Sequence, residues 1–220
     1  MNTNKYIGKI FPVLDNYTVK VIEYKNNKNI IIEFQDEFKA IKKTNLGNLL
    51  KGKIKNPYSK SVYKVGRVGN VKNVNNNILY HRWKRMISRC YNKKDPIYYL
   101  YGEKGIKVSD EWLIFENYEK DIKQMKNFDK IKEGWHIDKD LSNSKIYSKE
   151  TCLIISPTEN SVLASSTKKT NNKTGIVGVC KMGNGYRAKI TIKGKLHYKD
   201  FKTKEEAIYY RKNILEKLKQ

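Results

Sequence analysis

Residues 134–165 read GWHIDKDLSNSKIYSKETCLIISPTENSVLAS. From Trp135 to Leu141, apolar and polar side chains alternate, which predicts a strand. Residues 151–155 (TCLII) predict a second strand, with a loop of about nine residues between the two. A helix start follows at once, with Ser156 as N-cap, Pro157 in the first turn and Glu159 closing a capping box. The segment is therefore a strand–loop–strand–helix unit. Alternation sorts the side chains of its first strand. Trp135 and Ile137 turn into a core, while His136, Asp138 and Asp140 share the opposite face.

One imidazole beside two carboxylates has a chemical use. Carboxylate oxygens are hard ligands for Mg2+, and a neighbouring His can take a proton from water. If the helix packs across the two strands, Asn160 approaches the same face, and its amide oxygen is a further hard ligand. Asn143, in the loop, is placed to orient the imidazole or a phosphate. Taken alone, an H-x-D-x-D strand also describes a plain solvent-exposed polar face.

The chain's charge indicates its partner. Of 220 residues, 46 are Lys or Arg and 22 are Asp or Glu, a formal net charge of +24. Such an excess calls for a polyanion. No basic amphipathic helix flanked by bulky apolar residues is present to serve a membrane surface, so nucleic acid is the expected partner. No apolar run approaches the roughly 18 residues of a membrane span, and the N-terminal MNTNKYIGKIF lacks a signal-peptide core. Cys90, Cys152 and Cys180 are odd in number and far apart. That argues against a disulfide scaffold and offers no CxxC zinc site, so no structural zinc is expected and the thiols are read as reduced and mostly buried. The charge is uneven: 13 basic against 5 acidic residues in 1–66, 18 against 13 in 67–163, and 15 against 4 in 164–220. Basic wings suit phosphate contact by counterion release.

Outward from the central unit, residues 78–92 have a helical period. Leu79, Trp83, Met86, Ile87 and Cys90 fall on one face, and Arg82, Arg85 and Arg89 on the other. Phosphate contact and simple solvation compete equally to explain that arginine row. A second helix is expected from about Asp110 to Asn127, capped by Asp110 or Ser109, with Trp112, Phe115, Tyr118 or Glu119, Ile122 and Met125 on its apolar stripe. Residues 1–66 read as short strands with a hairpin turn at 25–29, a small β-module of barrel-like form. Residues 67–78 are a Gly/Asn-rich linker. Residues 164–174 are a second, basic linker, whose Lys168, Lys169 and Lys173 are candidate DNA contacts. Residues 175–220 read as three short strands, a capping box from Thr203 to Glu206, and a helix with Ala207, Tyr210, Ile214, Leu215 and Leu218 on one face. The expected fold class is α+β and multi-module, with the central core at 79–163.

The ββα layout, with His at the first strand and Asn in the closing helix, resembles the HNH (His-Me finger) nucleases. Residues 79–163 are more specifically similar to phage and mobile-element HNH-like endonucleases. The stretches that carry this are YHRWKRMISRCYN, YGEKGIKVSDEWLIFENYEKDI, GWHIDKDL and YSKETCLIISPTEN. The last 46 residues resemble the Apetala-type DNA-binding domain, through TGIVGVCKMGNGYRAKI and FKTKEEAIYY. In that family a three-stranded sheet lies in the major groove. The resemblance makes Lys181, Arg187, Lys189 and Thr191 candidate groove contacts.

The resemblance implies a Mg2+-dependent (or other divalent-cation) DNA endonuclease of homing type. His136 would be the general base, Asn143 an orienting residue, and Asp138, Asp140 and Asn160 the metal ligands. A monomer with one such site would nick duplex DNA. The implied setting is the cytoplasm of a bacterial host, with the gene carried by a phage or mobile element. The chain departs from the usual pattern at Trp135, where an acidic or Asn residue normally precedes the His. Two alignments are therefore open. Either His136 is the base, or Lys139 occupies the His slot and contacts nucleic acid in an inactive site. The rival function is accordingly an inactive HNH-like DNA-binding protein that regulates or inhibits a nucleic-acid-handling system. The 16 tyrosines also suit stacking on single-stranded RNA.

Overall fold

The computed structural model describes residues 5–139, 144–157, 160, 174–192 and 195–217. The chain is α+β, with helices and mainly antiparallel strands. It forms two compact units, residues 1–120 and 121–220.

The first unit begins with four strands: β1 (Ile10–Pro12), β2 (Thr18–Asn26), β3 (Asn29–Phe34) and β4 (Ile41–Thr44). They form an antiparallel meander in the order β1-β2-β3-β4. Strict alternation in β3 turns Ile30, Ile32 and Phe34 inward, opposite Val19 and Val21 of β2. The barrel-like form expected here is not what is found. β1 and β4 remain edges, so the sheet is open. Its inner face is covered instead by Leu49, from the short helix α1 (Leu46–Leu50), and by Ile54. With those side chains filling the core, closure by further strands is not needed.

Helix α2 (Ile78–Tyr91) follows the expected pattern, and all five residues assigned to its apolar face are buried. The Asn77 side chain caps it by accepting from the Leu79 amide at 2.9 Å. The continuous helix expected over 110–127 is split. A 3-10 turn spans Glu111–Leu113, Ile114 is extended, and α3 runs Phe115–Gln124. The cause is a tertiary bridge. The Arg67 amide donates to the Leu113 carbonyl and the Phe115 amide donates to the Arg67 carbonyl, both at 2.8 Å. These bonds hold Ile114 out of the helix. Ser109, rather than Asp110, caps the 3-10 turn, accepting from the Trp112 amide. Beneath this break lies an aromatic core. The Trp83 indole donates to the Trp112 carbonyl at 2.7 Å, and Tyr80, Trp83 and Tyr118 pack around Phe115.

The second unit holds β6 (His136–Asp138) and β8 (Leu153–Ile155), an antiparallel pair. Two short extended segments, β5 (Lys107–Val108) in the first unit and β7 (Ile146–Tyr147), lie before β6 and between β6 and β8 in the chain. Near the C-terminus, β9 (Val179–Met182), β10 (Gly185–Ile192) and β11 (Lys195–Phe201) form an antiparallel sheet in the order β11-β10-β9. Helix α4 (Lys204–Lys217) packs on one of its faces, burying Val179, Ala188 and Ala207. The Thr203–Glu206 capping box is present. The Glu206 carboxylate accepts from the Thr203 amide at 3.2 Å, and the Thr203 hydroxyl accepts from the Glu206 amide at 3.3 Å. Beyond Ala207, the apolar stripe expected for α4 is interrupted by Arg211. It is buried against Gly178, and desolvation lowers its pKa. Leu218 lies outside the described residues. Among the described residues, no helix is long and apolar enough to cross a membrane.

Gly69 tests the contact between the linker and α3. Its φ is +78°, and an added Cβ would stand 2.7 Å from the Glu116 Cβ. Gly69→Ala should cost about 2 kcal/mol or more. Urea denaturation should show this as a lower midpoint with an unchanged m-value.

Candidate active site

The β6–β8 register places His136 opposite Ile155, Ile137 opposite Ile154, and Asp138 opposite Leu153. Directly opposed residues share a face. One face therefore carries His136 and Asp138 with Ile155 and Leu153; the other carries Ile137 and the buried Ile154. Asn127 holds the back of β8, donating from its side-chain amide to the Ile154 carbonyl at 3.2 Å.

Alternation puts His136 and Asp138 on one face and Ile137 on the other, but Trp135 and Ile137, expected in a core, are only half-buried. His136 is exposed and Asp138 half-buried. Lys139 is buried, its ammonium 5.5 Å from the centroid of the Tyr147 ring. Alternation alone would send Lys139 to the side of Ile137, and its burial agrees. The Asp138 charge acts on Cys152. Burial is the larger cause that pushes this thiol up to about 11, and the carboxylate adds to it. Cys152 is thus a core thiol, as is Cys90, whereas Cys180 is half-buried.

Ser156 follows β8 directly, and the chain turns helical at Pro157. The Asn160 amide donates to the Ser156 carbonyl at 3.0 Å, closing the first turn. Asn160 thereby stands one turn beyond Ser156, the residue that follows Ile155, the cross-strand partner of His136. Asp140, Asn143 and Glu159 lie outside the described residues, as do Lys168, Lys169 and Lys173. Among the described residues no group of three or more His, Cys, Asp or Glu is assembled for a metal. Asp138 and Asn160 are the oxygen donors of the predicted ligand set that the structure describes. A carboxylate and an amide oxygen fit a hard divalent cation.

The candidate nucleic-acid residues divide by environment. Arg85 is exposed on α2, whereas Arg82 and Arg89 are half-buried. The Arg89 guanidinium lies over the Tyr101 ring at 4.5 Å. In the C-terminal sheet, Arg187, Lys189 and Thr191 of β10 share the face away from α4. Lys181 is not with them. It pairs with Tyr186 and therefore falls on the helix-packed face, although it is itself exposed. The open face adds residues that were not expected there: Tyr198 opposite Lys189, and Asp200 opposite Arg187. Arg187 and Asp200 form a two-bonded ion pair at 2.6 and 2.7 Å, and the same guanidinium lies 4.5 Å from the Tyr198 ring centre. The Ile192–Lys195 pair fixes this register, and counting back equally along both strands reaches Arg187 and Asp200.

Comparison with protein-family models, curated proteins and solved structures yields no match to this chain.

The Arg187–Asp200 pair has a pH signature. The hydrogen bond from Arg187 holds the Asp200 carboxyl below its ordinary value. A carboxylate depressed in this way favours the folded state above the unfolded-chain pKa, and the contribution is lost as pH falls through the folded value. Side-chain NMR titration should place Asp200 below the usual carboxylate range. In Arg187→Ala it should return to that range.

Proposed function

We propose that the chain is a Mg2+-dependent DNA endonuclease of the HNH (His-Me finger) type, nicking duplex DNA at a recognised site. One observation carries this: an antiparallel strand pair runs straight into a helical turn, with His136 and Asp138 on one strand face and Asn160 in that turn. The net charge of +24 supports a polyanionic substrate. The resemblance of 79–163 to HNH-like endonucleases, and of 175–220 to the Apetala-type domain, supports the same assignment.

In this mechanism the exposed His136 imidazole accepts a proton from the attacking water at a ring nitrogen. Asp138 and Asn160, with Asp140, would hold the divalent cation. When bound, that cation supplies Lewis-acid stabilisation of charge at the scissile phosphate. Arg85, with Arg82 and Arg89, contacts flanking phosphates. Arg187, Lys189 and Thr191 meet the duplex from the open sheet face, and the Asp200 carboxylate holds the Arg187 guanidinium in a fixed plane. Lys168, Lys169 and Lys173 add phosphate contacts from the basic linker, and Lys181 adds one from its edge strand.

Lys139 supports a second reading, in which it takes the histidine slot of the motif. Its burial against Tyr147 then describes a site without a base, and the chain would bind DNA without cutting it. Supercoiled-plasmid nicking separates the two. The nuclease predicts nicking that needs Mg2+, stops with EDTA, and falls at least about a hundredfold in His136→Ala with DNA affinity unchanged. Tight, salt-sensitive DNA binding by a wild-type chain that never nicks with any divalent metal would establish the binding protein instead.

A further inference from the structure

The N-terminal β-module has no role in the site above, yet it carries a concentrated charge feature. A groove of about 340 Å³ lies along the outer edge of its sheet, lined by Lys28, Lys42, Lys43, Lys53 and Lys55 together with Thr44, Asn45, Asn48 and Ile54. No Asp or Glu lines it. The acids of this module with charged partners pair elsewhere, Glu23 with Lys25 and Glu37 with Arg67.

The backbone around the groove is braced. The Leu46 amide donates to the Asn27 carbonyl at 2.8 Å, tying the β2–β3 turn to α1. The Asn45 side chain caps α1 by accepting from the Asn48 amide at 2.9 Å. The Lys53 amide donates to the Asn48 carbonyl at 2.9 Å. The Lys42 ammonium is fixed on the Lys55 carbonyl at 3.0 Å, and burial together with the Lys55 charge lowers its pKa. Five like charges held around one concavity repel one another in the free protein. An anion in the groove relieves that repulsion and releases counterions on binding.

The lining also narrows the kind of anion. No aromatic side chain is present to stack a base, which single-stranded nucleic acid and free nucleotides require. Ile54 is the one apolar contributor, too little for the apolar body of a small-molecule pocket. Ammonium groups and short polar side chains suit phosphates alone.

We propose that this groove is a second DNA-binding site, gripping the sugar-phosphate backbone of duplex DNA with residues other than those of the candidate active site. It rests on the proposal that the chain binds duplex DNA, and it gives the N-terminal module the role of a sequence-independent phosphate anchor.

The triple variant Lys28→Gln, Lys43→Gln, Lys53→Gln tests this, with Lys42 and Lys55 kept because they brace the groove. Duplex affinity is measured by fluorescence anisotropy across a salt series. The slope of log affinity against log salt should flatten by about two to three, close to one for each lysine. Thermal melting of the variant should be unchanged or higher at low salt, since repulsion is removed. An unchanged slope in a folded variant overturns the proposal. Amine-acylation footprinting of the wild-type chain gives a local readout. Duplex DNA should protect Lys28, Lys43 and Lys53 severalfold. Equal protection by inorganic phosphate at the same phosphate concentration, or stronger competition by single-stranded RNA, also overturns it. Retained metal-dependent nicking with an unchanged slope refutes the groove and leaves the nuclease standing. A flattened slope in a chain that never nicks does the reverse.

Discussion

Arg67 is the residue on which the first unit turns. Its amide and carbonyl are both used by the peptide around Ile114, and its guanidinium reaches the Tyr58 carbonyl at 2.8 Å, Glu37 at 3.6 Å and the face of Phe38 at 4.9 Å. One residue thus ties the β-module to the start of α3. Phe38 and Tyr58 stack at 4.4 Å beside it, and the Tyr58 hydroxyl donates to Glu116 at 2.6 Å. Burial and that carboxylate push the Tyr58 phenol up to about 12, so it remains a donor at any ordinary pH. Gly69 completes the contact, because only a residue without a Cβ leaves room for Glu116.

The candidate active site is built differently, from very few backbone bonds. β6 and β8 are three residues each. Ile154 and the Asn127 side chain hold one side of the pair; on the other, His136 and Asp138 stand beside the buried Ile155 and the exposed Leu153. That division suits chemistry. His136 is the exposed member of β6, where a large substrate can reach it. The C-terminal sheet repeats the arrangement: α4 covers one face, and Arg187 is held on the other by Asp200 and Tyr198.

Much of this was legible from local pattern. The face of α2, the alternation in β3, the Thr203–Glu206 capping box and the helix start at Ser156 each depend on residues close in the chain, and each is found. The departures turn on pairings that local pattern does not show. The helix expected over 110–127 breaks because of Arg67, more than forty residues earlier. The β-module stays open because Leu49 and Ile54 fill its core. Lys181 leaves the face of Arg187 because register, not composition, assigns faces across strands. The five-lysine groove is likewise spread over residues 28–55 and has no local signature.

Taken by itself, the sequence determined the charge, the periodic segments and the placing of His136 and Asp138 on one strand face, since these follow from composition and from alternation of side chains. Only the tertiary structure decided that Ile155 stands opposite His136, that Lys139 is buried on Tyr147, that Asp200 locks Arg187, and that five lysines surround one groove. The physical reason is that periodicity acts within a few residues. Register, burial and the clustering of like charges are set by which segments share a sheet or a core, and periodicity within a segment does not fix that.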